Sequence, residues 1–123
     1  MLYPLSFRPI FKPRPWGGRN LERLYGKPLP PQVPVGESWE ICDRPGDVSL
    51  IANGPLAGRD LHWLVENHRA ELLGDAPLQN GRFPLLIKIL DAQEVLSVQV
   101  HPPPRAAATL GGEPKTELWY VAH

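Results

Sequence analysis

Sixteen prolines and eleven glycines in 123 residues set the first limit on this chain. Proline lacks the amide proton that helices and central strands use, and glycine favours turns. The breakers fall between apolar runs and do not gather in one tract. Short strands joined by tight loops are therefore expected. The runs Gly36–Cys42, Val48–Ala52, Phe83–Leu90, Val95–Val100 and Glu117–Ala122 are the expected strands. Two segments have helical spacing. Leu21, Leu24 and Tyr25 followed by Gly26 predict a short helix with a glycine cap. From Asp60 to Leu73, Leu61, Leu64, Val65, Leu72 and Leu73 share one helical face, with Asp60 placed to cap the start and Gly74 just past the end. His62 and His68 on that helix point about 120° apart, so they form no metal pair through a shared face. The fold class expected is mainly β, antiparallel, with one main helix. No repeat or linker divides the chain, and residues 1–123 are expected to form a single, incomplete domain.

Thirteen basic and thirteen acidic side chains cancel. With no long run of either sign, the chain lacks the electrostatic footprint of a nucleic-acid or anionic-membrane binder, and a small-molecule ligand is expected. Cys42 is the only cysteine, which excludes an internal disulfide, fits a reducing compartment and is expected to be buried. The start, Met1 to Phe11, carries Pro4 and Pro9 and no apolar signal-peptide core. The longest apolar stretch, Phe83 to Leu90, is interrupted by Lys88 and falls far short of the ~20 residues of a membrane span. A soluble cytoplasmic protein is expected.

Chemistry concentrates near the end of the chain. In Ser97-Val98-Gln99-Val100-His101-Pro102 a strand's period of two sends Ser97, Gln99 and His101 to one face and the valines to the other. An imidazole and an amide oxygen spaced in this way can reach one zinc ion, although the same row also suits the solvated face of an edge strand. In Lys115-Thr116-Glu117-Leu118-Trp119-Tyr120 the alternation groups Lys115, Glu117 and Trp119. That is either a metal ligand beside a clamp for an oxyanion or an ordinary surface ion pair. Lys88, in the middle of Leu85-Leu86-Ile87-Lys88-Ile89-Leu90, either reaches solvent or lines a cavity. Glu37 and Trp39 also share a strand face, where a structural role is favoured.

Taken in order, Trp16-Gly17-Gly18, Gly36-Glu37-Ser38-Trp39, Asn53-Gly54-Pro55-Leu56, Phe83 to Lys88, Leu96 to Pro102 and Lys115 to Tyr120 resemble the type I phosphomannose isomerases. The resemblance implies a cupin-type β fold, a partial barrel or jelly roll, and zinc-dependent interconversion of mannose 6-phosphate and fructose 6-phosphate. It also implies Gln99, His101 and Glu117 as ligands of one zinc ion per chain. Lys88, Lys115 and Ser97 would then surround the sugar phosphate, the two lysines as catalytic candidates. Aldose–ketose isomerisation removes a proton beside a carbonyl and builds negative charge on oxygen, which zinc and lysine ammoniums suit. The sequence departs from the family at Pro103-Pro104-Arg105, where acidic residues are usual. A second histidine ligand and a substrate arginine are expected downstream of His123, from a carboxy-terminal segment or a complementing chain. His123 would lie roughly 20 Å along a strand from Glu117, too far to substitute. A non-catalytic sugar-phosphate or metal-binding module and one half of a split enzyme are the alternatives.

Overall fold

Val35–Ile41 is the middle strand, β2, of an antiparallel three-stranded sheet in the computed structural model, which describes all 123 residues. Its neighbours are β1, Ile10–Gly18, and β5, Ile87–Leu90. Beside them, β3, Asp43–Arg44, and β4, Asp47–Val48, form a two-stranded hairpin. The helices are α1, Asn20–Tyr25; α2, Leu61–Asn67; α3, Arg69–Leu73; and α4, Pro104–Leu110. No helix is long and apolar enough to cross a membrane.

Register decides what each face of the larger sheet carries. Phe11 and Ile89 both pair with Ser38, so those three side chains share one face, and Phe11 and Ile89 pack against the buried cluster of Leu21, Leu29 and Val35. The pairs Lys12↔Glu37↔Leu90 and Ile10↔Trp39↔Lys88 fall on the opposite face, which is rich in charge. A second cluster, Ile51, Leu61 and Leu64, binds α2 to the residues around Phe7, Ile41 and Phe83.

Several expectations need correction. β1 lies outside the expected strands and carries Pro13 and Pro15. It forms because β1 is an edge strand, where a missing amide proton breaks no ladder, and because the pairing shifts register after Lys12. The expected main helix is two helices, broken at His68, whose backbone leaves the helical region at φ −134° and ψ 27°. There Asn67 Nδ2 donates to Trp63 O at 2.8 Å, the local competition that loosens a helix end. Of Val48–Ala52 only Val48 lies in a strand, while Leu50 and Ile51 make isolated bridges. Of Phe83–Leu90 only the last four residues pair. Val95–Val100 and Glu117–Ala122 join no ladder. α4 occupies the Pro103-Pro104-Arg105 departure, with Pro104 in its first turn, where no amide proton is needed, and Gly111 as its left-handed cap at φ 61°.

Both other caps are as expected. Asp60 accepts from Trp63 N at 2.7 Å, and Gly26 closes α1 at φ 63°. The start of α1 is satisfied from far along the chain. Asp91, 5 % exposed, accepts from Asn20 N at 2.7 Å and Asn20 Nδ2 at 3.1 Å. This ties α1 to the end of β5.

Candidate active site

The charged face of the sheet forms the floor of a cleft of about 300 Å³. Glu37, Lys88 and Leu90 come from β2 and β5, and Trp16 from the end of β1. The opposite wall is Leu96, Ser97 and Gln99 together with Lys115, Glu117 and Trp119. Trp16 can lie over β2 because residue 36 is glycine: a Cβ there would stand 2.6 Å from the Trp16 ring.

Two arms supply that wall, one on each side of α4. The Pro102 ring lies so close to Gly112 that a Cβ on Gly112 would stand 2.8 Å from it. The fold-back brings His101 Nε2 to 3.9 Å from Glu117 Oε1. Neither arm is a strand, yet the alternation survives. Ser97, Gln99, Lys115, Glu117 and Trp119 line the cleft, while Val98, Val100, Leu118 and Tyr120 face solvent.

Five of the six candidate residues, Lys88, Ser97, Gln99, Lys115 and Glu117, thus line one cleft, and His101 adjoins it through Glu117. Lys88 neither runs free into solvent nor sits unpaired: its Nζ donates to Glu37 Oε2 at 3.3 Å and lies 5.3 Å from the centre of the Trp39 ring. Gln99 Nε2 donates to Ser97 Oγ at 3.2 Å. Lys115 Nζ pairs with Glu117 Oε1, and Trp119 Nε1 donates to Glu117 Oε2 at 3.4 Å. The Lys115 hydrogen bond, aided by that of Trp119 and by the Lys115 charge, outweighs the opposing effect of burial and holds the Glu117 carboxyl below its ordinary range. Glu117 is thereby an anion at neutral pH.

Could these side chains hold a metal? Histidine, cysteine, aspartate and glutamate alone make no cluster of three suited to an ion, so any such site has to recruit Gln99. The donor set fits on one further observation. His101 Nε2 is buried with no hydrogen-bond partner, although buried polar atoms are nearly always partnered. With Gln99 Nε2 committed to Ser97, its amide oxygen is the atom available to an ion, and Glu117 supplies the negative charge.

Glu37 is the site residue that spacing alone assigned to structure. Its side chain is 10 % exposed and lines the cleft. The signal was present as a carboxylate in the middle of the pattern that became the central strand. Its partners, Arg14 and Lys88, come from strands distant in sequence. His62 and His68 lie elsewhere, beside Asp43 and Glu71 respectively.

The model of the phosphomannose isomerase type I catalytic domain matches residues 5–117. This chain belongs to the type I phosphomannose isomerase family. It is 44% identical to the Bacillus subtilis mannose-6-phosphate isomerase ManA, with 96% of this chain and 36% of the relative covered. It is 42% identical to the mannose-6-phosphate isomerase of Streptococcus mutans, covering 98% of this chain and 37% of that one. In three dimensions it superposes on a crystal structure of mannose 6-phosphate isomerase from Bacillus subtilis with a TM-score of 0.77 and 38% identity, over 92% of this chain and 35% of that one. The family is one of isomerases, and the antiparallel sheets expected from the sequence are shared with that structure. The chain spans little more than a third of the length of the relatives it matches.

Proposed function

We propose that these residues form the zinc-site part of a mannose-6-phosphate isomerase of cupin type, interconverting mannose 6-phosphate and fructose 6-phosphate in the cytoplasm. Gln99, His101 and Glu117 are the proposed zinc ligands. Lys88, Lys115 and Ser97 are the proposed contacts to the sugar phosphate, with the two lysines in catalytic roles. The observation that carries the reading is the orphaned Nε2 of His101 beside a cleft lined by the other five residues. A zinc ion in that position supplies Lewis-acid stabilisation of an oxygen that gains negative charge.

The chain's own groups complete the logic. Lys88 and Lys115 bring two ammoniums to one cleft, which suits a phosphate dianion at one end of a small ligand. The Ser97 hydroxyl offers a donor and acceptor to a sugar hydroxyl. Trp16 and Trp119 give the cleft apolar walls against which the carbon face of a sugar can lie. Three protein ligands are the usual number at a catalytic zinc site that keeps an open position. We propose that a further histidine ligand and a substrate arginine come from a carboxy-terminal segment or a complementing chain. The fully exposed row Val98, Val100 and Leu118 favours this, since it has the composition of a sheet face awaiting cover.

Calorimetric titration of the chain with zinc, beside a His101→Ala variant, tests the metal site. Wild type is expected to bind at least tenfold more tightly, the scale of losing one ligand atom at about 1.4 kcal/mol per decade. Equal affinities would sink the assignment of Gln99, His101 and Glu117. A coupled assay with mannose 6-phosphate and added zinc then separates an active site complete in these residues from one needing further groups.

A further inference from the structure

On the charged face of the sheet Lys12 is paired with Asp47 of the hairpin at 2.6 Å, and the carboxylate that the sheet itself supplies, Glu37, is the best-connected side chain there. Glu37 Oε2 accepts from Trp39 Nε1 at 2.5 Å and from Lys88 Nζ at 3.3 Å, while Glu37 Oε1 accepts from Arg14 Nε at 3.3 Å. The Trp39 ring is itself approached by two ammoniums, Lys12 Nζ at 4.5 Å and Lys88 Nζ at 5.3 Å from its centre. One oxygen of Glu37 thus fixes both the ring and the cation that lies over it.

A purely structural role does not account for this placement. β2 is already held on both sides by backbone ladders through Glu37 itself, to Lys12 and to Leu90. A carboxylate kept beside a cleft for an anion repels that anion, so it is tolerated there only if its positioning effect outweighs the repulsion. Arg14 lessens that repulsion by compensating the Glu37 charge from the side away from Lys88's oxygen.

We propose that Glu37 is a positioning residue, holding Lys88 over the Trp39 ring so that its ammonium is presented to the phosphate of the ligand. Arg14 keeps Glu37 compensated when Lys88 turns to that phosphate. The proposal rests on Lys88 facing the sugar phosphate, and it predicts an energetic coupling between Glu37 and Lys88 in anion binding.

Inorganic phosphate is the probe, titrated calorimetrically into the full chain as wild type, Lys88→Ala, Glu37→Gln and the double variant. Lys88→Ala is expected to weaken phosphate binding about fivefold in the wild-type background and less than about twofold beside Glu37→Gln. The Trp39 indole N–H resonance, located by its loss in Trp39→Phe, should shift in Glu37→Gln. Should Glu37→Gln fail to fold, Trp39→Phe replaces it in the cycle: it removes one donor to the same oxygen and should shrink the Lys88→Ala effect. An equal Lys88→Ala factor in both backgrounds overturns the positioning role while leaving Lys88 as a ligand contact. No Lys88→Ala effect in wild type overturns the proposal at its root, because Lys88 then does not face the anion.

Discussion

At Glu37 two opposing effects meet. Burial alone would raise its carboxyl, but the Trp39 hydrogen bond and the Lys88 and Arg14 charges outweigh it and hold the group below its ordinary value of 4.5. A folded value below the unfolded one means that ionised Glu37 favours the fold above the unfolded value. That contribution is lost as pH falls through the folded value. Urea unfolding of wild type and Glu37→Gln should therefore differ at neutral pH and converge as pH falls through the lowered folded value. A gap that stays constant across the acid range would show that ionisation is not what the glutamate contributes. Cys42 gives the contrasting case. Burial, with the Asp47 and Asp43 charges, pushes its thiol above 9.0 against weaker opposing effects, and its side chain is fully enclosed. It should react with a disulfide reagent only when the chain opens, so prompt labelling of native protein would contradict the structure. The burial of Cys42 was legible from residue type alone. The surroundings of Glu37 were not, because Arg14 and Lys88 become its neighbours only through strand pairing.

At the scale of elements, local signals were readable where the partner is local. Asp60 and Gly26 directly flank the helices they cap, and both were evident in sequence. α1 depends instead on Asp91, seventy-one residues from Asn20. Replacing Asp91 with alanine leaves Asn20 N without an acceptor in a nearly enclosed site, with an expected cost of about 1–2 kcal/mol. Denaturant midpoints measure it, and Asp91→Asn should recover part of the loss by keeping one acceptor oxygen. The two arms that line the cleft show why strand expectations failed while face expectations held. A period of two decides which side chains share a side, whereas a strand requires a neighbour to receive its hydrogen bonds. Ser97 and Gln99 share the cleft without any such neighbour. β1 is the converse, a strand hidden behind two prolines because its exposed edge tolerates them.

For the molecule as a whole, surface area sets the terms. A compact monomer of 13.7 kDa exposes about 6,600 Å² by the usual scaling, yet this chain exposes 8638 Å². Large apolar side chains are among the exposed ones: Val95 is 97% exposed, Val98 95%, Leu118 93% and Tyr120 87%. Single exposed apolar groups are unremarkable, but these come from the two adjoining arms on the side away from the cleft. Since these side chains are not buried in the monomer, polar replacements there should cost little stability. Since they are exposed together, the wild-type chain should self-associate as concentration rises. The double variant Val98→Lys, Leu118→Lys separates the two statements. It should unfold within about 2 °C of wild type, the effect of a surface change below roughly 0.5 kcal/mol. In sedimentation velocity it should remain monomeric at concentrations where wild type does not. At a concentration where both proteins are monomeric, a large loss of thermal stability would mean that the row is packed within the monomer.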